Sequence, residues 1–148
     1  MLSISHGTLG AFIAAKIGNP LIAAPLIIAS HFACDYIPHW DVGQGLTKKK
    51  KSPSAAFYQE LLFDLPLSLL LIYFFFQINH PFDYRIWLGW FLGLLPDFIE
   101  APRNFLNWEP AFLKPINHFH QHFHHSIPDK FRGLVPQLLL ILLLFLLR

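Results

Sequence analysis

Apolar residues occur in five long blocks along this chain, and polar segments separate the blocks. The block lengths and the lack of strict alternation predict helices. Gly18-Asn19-Pro20 divides the first two blocks, and it combines a glycine that ends a helix with a proline that begins one. We therefore predict an all-α fold, in which an N-terminal helical hairpin precedes three further helices. The blocks cover residues 7–17, 21–37, 56–77, 84–97 and 134–147.

The third block is the clearest candidate for a membrane span, because residues 69–76 contain no charge and a span needs about 20 apolar residues. The first two blocks are shorter than a full span. We predict a polytopic membrane bundle of about five helices, which forms one integral membrane domain over residues 1–148. The segment 101–130 is long, polar and punctuated by proline.

Composition supports a membrane protein. Of the 148 residues, 54% are hydrophobic and 14% are charged, whereas roughly 25% of a typical soluble domain is charged. The formal net charge of +2 and the lack of a basic stripe exclude a nucleic-acid partner. Cys34 is the only cysteine, so no internal disulfide is possible. The expected partners are membrane lipids.

Basic residues set the expected orientation. The four lysines at 48–51 should stay on the cytoplasmic side, since their translocation is unfavourable. Alternating spans then bring the segment 101–130, which is also basic, to the same side. This topology puts one set of histidines and acidic residues at the cytoplasmic face of an inner membrane of the prokaryotic type, which predicts a shared metal site there. The set comprises His6, His39, Asp41, Asp97, Glu100 and the histidines of residues 118–125.

Five histidines fall within the eight residues 118–125. Imidazole is the commonest metal ligand among side chains, and the neutral ring brings no charge into the membrane. A helix would put His118, His122 and His125 on one face and His120 and His124 on another, whereas a strand would align the four even-numbered histidines. Either geometry gives two to four convergent imidazoles.

Two helix ends carry an aspartate followed by an aromatic residue and isoleucine, at Asp35 and at Asp97. His31 lies one helical turn before Asp35, so the two can bind one ion, or instead form a hydrogen bond that stabilises the helix end. We predict that His31 or His39, both aspartates and at least two of the clustered histidines lie within about 8 Å of a common point.

Glu60 and Asp64 repeat the one-turn spacing inside the third block. An ionisable group at that depth is by default a candidate for function. The alternatives are that Asp64 caps a backbone group freed by Pro66, or that it pairs with Lys16.

Three short motifs along the chain carry a family resemblance. They are Ser5-His6-Gly7, Leu95-Pro96-Asp97 and His120-Gln121-His122-Phe123-His124-His125-Ser126. They resemble motifs of the small integral membrane proteins known as membrane-bound metal-dependent hydrolases. Gln121 stands where that family has arginine, and Glu100 replaces a second aspartate one position late. If the family's arginine holds a phosphate, its absence leaves the substrate class open.

The resemblance implies a hydrolase that uses one or two divalent ions, with zinc preferred, at the lipid–water interface. The substrate would be a lipid or a lipid-linked ester or phosphate. We expect Glu100 or His124 to act as the general base and Ser126 to orient the leaving group. The alternative is a non-catalytic metal-binding protein or a metal transporter. The expected metal ligands are His6, His31, Asp35, His39, Asp41, Asp97, His120 and His125.

Overall fold

The computed structural model describes residues 1–46 and 50–148, which form six helices. Extended pairing within these residues is confined to one isolated bridge, between His39 and Ser126. The predicted all-α class is confirmed. The helices are α1 (Ser3–Ile17), α2 (Pro20–Asp35), α3 (Pro53–Gln77), α4 (Tyr84–Leu106), α5 (Lys114–Phe123) and α6 (Lys130–Leu147).

The tight hairpin between α1 and α2 forms as the sequence predicts. Gly18 has φ +71°, and its amide donates to the carbonyl of Ala14 at 3.0 Å. The side chain of Asn19 accepts a hydrogen bond from the amide of Leu21, and Pro20 occupies the first turn of α2. Side-chain oxygens of Ser52, Asp83 and Asp129 cap α3, α4 and α6 in the same way.

Helix α1 lies at the centre and packs against α2, α3, α4 and α6. Its contact with α4 is close because glycines line it. A Cβ atom added at Gly93 would lie 2.4 Å from the carbonyl oxygen of His6, and one added at Gly89 would lie 2.5 Å from that of Gly10. The first half of α4 is therefore held against the first half of α1, which brings Asp97, one turn beyond Gly93, towards His6.

Helix α4 is longer than predicted. The apolar pattern ends at residue 97, but the helix continues to Leu106 and contains both Pro96 and Pro102. Side-chain bonds from Arg103 and Asn104 to Glu100 join residues three and four positions apart and stabilise the added turns. Part of the polar segment 101–130 is thus helical, both here and in α5.

Among the described residues, two helices, α3 and α6, are long and apolar enough to cross a membrane. The finer prediction of a polytopic five-helix bundle is not established, because α1 and α2 have 15 and 16 residues and the second half of α4 carries charged residues. Lys48 and Lys49, half of the lysine run that set the expected orientation, lie outside the described residues.

Asp64 stabilises the start of α1. Its carboxylate accepts hydrogen bonds from the backbone amides of Ser3 at 2.7 Å and Ile4 at 3.1 Å, and Glu60 accepts one from the hydroxyl of Ser3 at 2.5 Å. These amides belong to the first turn of a helix, where no intrahelical acceptor exists. Asp64 is therefore a backbone cap, although it caps α1 rather than a group freed by Pro66.

Candidate metal centre

The end of α2 presents His31 and Asp35 on one face, and both are buried. Nδ1 of His31 lies 2.7 Å from the carbonyl oxygen of Gly93. Because a carbonyl can only accept, Nδ1 carries the proton and donates. In the neutral ring this leaves the lone pair on Nε2, which lies 3.4 Å from Oδ2 of Asp35. A ring held by its other nitrogen in this way is typical of metal-binding histidines.

A first group of four side chains surrounds this nitrogen: His31, Asp35, Asp97 and His120. One ligand atom from each lies within 4.8 Å of all the others. Nε2 of His120 is 3.0 Å from Oδ2 of Asp35 and 3.1 Å from Nε2 of His31. Oδ1 of Asp97 is 3.7 Å from both imidazole nitrogens. The side chain of Asp97 is 31% exposed, so the group is open on that side.

A second group shares Asp35 and adds His39 and His124, again within 4.8 Å. Nδ1 of His39 donates to the carbonyl of Ile37, and its Nε2 is 3.2 Å from Nε2 of His124. Oδ2 of Asp41 lies 3.5 Å from the His39 nitrogen and 3.4 Å from that of His124.

Electrostatics at the second group favour neutral imidazole beside ionised carboxylate. Burial lowers the pKa of His124 to about 4, so its ring is neutral at pH 7. Burial by itself would raise the pKa of Asp41, but the neighbouring imidazoles of His39 and His124 and the positive amino group of Met1 hold that pKa below its usual range. Neutral rings and carboxylates are the forms that bind cations.

His6 also reaches Asp35. Its Nε2 is 3.0 Å from Oδ1 of Asp35, and its ring stacks on His31 with 3.8 Å between the centroids. The amino group of Met1 contacts both Asp35 and His6. The motif at residues 5–7 indicated His6, whereas nothing in the sequence indicated Met1.

The histidine segment takes the helical arrangement as far as Phe123. His120 and His124 face the two groups, while His118 and His122 are exposed. The structure does not bring the imidazole of His125 to either group. That ring is exposed, packs edge-on against Tyr36, and is bonded through Nδ1 to the carbonyl of Phe123.

The backbone of His125 nevertheless positions the segment. Its amide donates to the carbonyl of Asp35 at 2.9 Å, and its carbonyl accepts from the amide of His39 at 3.1 Å. The amide of Ile127 donates to the carbonyl of His39 at 2.7 Å. These bonds run the chain after α5 alongside the chain after α2, which places His124 next to His39.

Glu100 and Ser126 lie beside the groups but not within them. Oε2 of Glu100 is 3.4 Å from Nδ1 of His120, and its other oxygen contacts Arg103. Glu100 therefore faces the ring nitrogen opposite the one that faces Asp35; the two atoms form no hydrogen bond here, but the position suits a carboxylate that orients His120 better than one that acts as a base. The hydroxyl of Ser126 donates to Oε1 of Gln44 at 3.0 Å.

The donor set fits a divalent ion. The lone pairs of His31 and His39 face carboxylate oxygens, and acceptors that face each other repel unless a cation lies between them. Oδ2 of Asp41 is buried among these nitrogens and has no hydrogen-bond partner among the described residues, which is costly in an apolar interior. Imidazole combined with carboxylate is the ligand set of zinc and similar ions.

Comparison with protein-family models, with curated proteins and with solved structures finds no match to this chain. The chemistry of the site therefore has to follow from its geometry. Carboxylates and imidazoles that converge at a partly open end of a helical bundle can hold a cation and leave one coordination position accessible. A cation held in this way can activate water or polarise an ester or phosphate oxygen.

Proposed function

We propose that this protein is a metal-dependent hydrolase embedded in a membrane, which acts at the lipid–water interface. The substrate would be an ester or phosphate of a lipid or a lipid-linked molecule. The observation that carries the proposal is the convergence of His31, Asp35, Asp97 and His120 from three helices, with ligand atoms within 4.8 Å of one another. We propose zinc as the ion because the set mixes imidazole with carboxylate.

The outer surface supports a membrane location. Helices of similar apolarity also occur in soluble cores, where they are mostly buried. In α3 and α6, by contrast, only 17% of the apolar 18-residue stretch of each helix is buried. Large apolar side chains such as Phe63, Leu139 and Leu142 are exposed on these two helices. Exposed apolar side chains in such numbers are expected to face lipid.

The neighbourhood of α5 supports a lipid substrate. The helix turns His120 and Asn117 inward and exposes Ile116 and Phe119. Trp108 and Phe112, just before the helix, are also exposed. Aromatic and apolar residues on one side of a short polar helix are typical of segments that lie in the headgroup layer. The site would then open where lipid headgroups are present.

In the proposed reaction, water adds across an ester or phosphoester bond. The water oxygen bonds to the carbonyl carbon or to phosphorus, and the alcohol oxygen leaves with a proton. A bound divalent ion lowers the pKa of water enough to make it nucleophilic at neutral pH. The chain's own contribution is to hold the ion from three sides, to orient His120 through Glu100, and to admit substrate beside Asp97.

Transport was the alternative function, with Asp64 as the step inside the membrane. The hydrogen bonds from Ser3 and Ile4 give Asp64 a structural task instead. A path through the bilayer would need further acidic groups, and the ligands meet at one end of the bundle. Hydrolysis is therefore the better-supported proposal, and metal binding without catalysis is the outcome against which it is tested.

The test uses the full-length protein in detergent micelles that contain lipid carboxylic esters, phosphate esters or pyrophosphates. We expect turnover of one class, its loss on treatment with a chelator and its return with zinc. His31→Ala should abolish turnover, whereas His122→Ala, an exposed histidine of the same segment as His120, should not. Metal-loaded protein without turnover of any class would instead indicate a non-catalytic metal-binding protein.

The proposed orientation is tested separately by cysteine labelling in intact cells, with Cys34 replaced. Cysteines at Gly45 and Trp108 should be protected from an impermeant thiol reagent, and one at Asn79 should react. Protection of Gly45 together with labelling of Trp108 would put the two halves of the site on opposite sides of the membrane. That result would contradict the proposal.

A further inference from the structure

We propose that the centre holds two divalent ions and that Asp35 bridges them. The inference rests on the proposed function in one respect, since it takes the first group, around His31 and His120, to bind an ion. It adds a second site formed by Asp35, His39, Asp41 and His124.

The two oxygens of Asp35 face different sets of ligands. Oδ2 lies 3.0 Å from Nε2 of His120 and 3.4 Å from Nε2 of His31. Oδ1 lies 3.6 Å from Nε2 of His39, and it also contacts the amino group of Met1 and, at 3.0 Å, Nε2 of His6. The four imidazoles form two pairs. The Nε2 atoms of His31 and His120 are 3.1 Å apart, and the Nε2 atoms of His39 and His124 are 3.2 Å apart. A carboxylate with one oxygen in each group is the arrangement of a bridging ligand.

The chain spacing repeats around Asp35. His31 lies four residues before it and His39 four residues after it. On the α5 side of the site, His120 and His124 are also four residues apart. Each group takes one histidine from the α2 side and one from the α5 side, so the second group repeats the ligands of the first around a shared carboxylate.

The surroundings of Asp41 independently support a second ion. Its side chain is 8% exposed, and its Oδ2 has no hydrogen-bond partner although it lies 3.4 Å and 3.5 Å from the two imidazole nitrogens of the second group. A single ion in the first group would leave this oxygen unpaired. A second ion between Asp41, His39 and His124 would pair it, as a terminal ligand does.

The second site has its own opening. The side chain of His124 is 27% exposed, while that of Asp97 in the first group is 31% exposed. Both ions would therefore be reachable from the same end of the bundle. Two ions that share a carboxylate lie about 3.5–4 Å apart in known two-metal sites.

The test is metal stoichiometry on the full-length protein, stripped with chelator, reloaded with Zn²⁺ and measured by elemental analysis. We expect about two equivalents for the native protein and about one each for His120→Ala and His124→Ala. The exposed histidines provide matched controls, so His118→Ala and His122→Ala should retain about two. Circular dichroism checks the helical content of each variant. Asp41→Asn, which preserves shape, should weaken the second ion alone if His124→Ala does not fold.

Mn²⁺ loading tests the bridge. Two ions joined by Asp35 should give an exchange-coupled electron paramagnetic resonance spectrum, and His124→Ala should convert it to that of an isolated ion. One equivalent in the native protein, kept in His124→Ala, would overturn the second site and leave the proposed function intact. Two uncoupled ions would overturn the bridge. Native protein that binds no metal would overturn both proposals.

Discussion

Two buried aspartates in this apolar chain have different partners. Asp35 is fully buried and Asp64 is 7% exposed. Asp64 accepts hydrogen bonds from two backbone amides of α1, whereas Asp35 is surrounded by the imidazoles of His6, His31 and His120. Burial and charge alone do not separate a structural carboxylate from a metal ligand. The chemistry of the partners does.

The partners differ in what they leave unsatisfied. Backbone amides at a helix start are fixed donors, so they pair with Asp64 and need nothing further. The Nε2 atoms of His31 and His39 are acceptors in the neutral ring, because each Nδ1 donates to a backbone carbonyl. The amino group of Met1 contacts Oδ1 of Asp35, but within the described residues Oδ2 has no lysine or arginine within 4 Å, and we therefore assign the metal there.

The largest effect is expected from Asp35→Asn. The amide keeps the size of the side chain but removes the charge and both anionic oxygens, so we expect the protein to lose both ions, about two equivalents. Elemental analysis after reloading measures this. Helical content should remain near native, because the carboxylate is not a helix cap. Retention of one ion or more would mean that Asp35 is not the shared ligand.

Asp64→Ala should have the opposite effect, which is to lower stability and leave metal content unchanged. It leaves the amides of Ser3 and Ile4 without acceptors, at a cost of about 1–3 kcal/mol for each unsatisfied group. We expect a lower unfolding midpoint in detergent but an unchanged number of ions per folded molecule. A variant of normal stability that has lost metal would place Asp64 in the site and remove the contrast with Asp35.

Much of the contrast between Asp35 and Asp64 could be predicted from the local spacing of residues. His31 and Asp35 are one helical turn apart and therefore share a face in any α-helix. Asp97 follows a long apolar run, which predicted a helix end there, but α4 continues beyond it to Leu106. Asp64 was recognisable as an unusual acid, but its partners are more than 50 residues away in the chain. Sequence spacing does not reveal such contacts.

The histidine segment illustrates the same limit. The pattern predicted convergent imidazoles, but it included His125 among the ligands and assigned His124 to proton transfer. The outcome depends on where α5 ends and on the backbone bonds of His125 to Asp35 and His39. Those bonds join residues 90 and 86 positions apart in the chain, so the choice between His124 and His125 was not available from their spacing.

The site around Asp35 also depends on how closely α1 approaches α4, unlike the capping contacts of Asp64. In Gly93→Ala the new methyl group would lie 2.4 Å from the backbone oxygen of His6. Backbone cannot yield as a flexible side chain does, so we expect destabilisation of about 1–3 kcal/mol. Displacement of α4 should also weaken the ion next to Asp97 more than the ion next to Asp41. Thermal unfolding together with metal titration measures both effects, and native stability would contradict the close packing of these helices.

The smallest effect is expected at Glu100, which faces Nδ1 of His120 at 3.4 Å. Glu100→Gln keeps a polar group there but removes the charge that orients the ring, and such changes weaken metal affinity about 10–100-fold. The ion held by His120 should be weakened, and the one held by His124 should not. If Glu100 were instead the general base, turnover would fall while the affinity for Zn²⁺ stayed at its native value. Competition titration with a zinc chelator, run beside the turnover assay, distinguishes a positioning residue from a base.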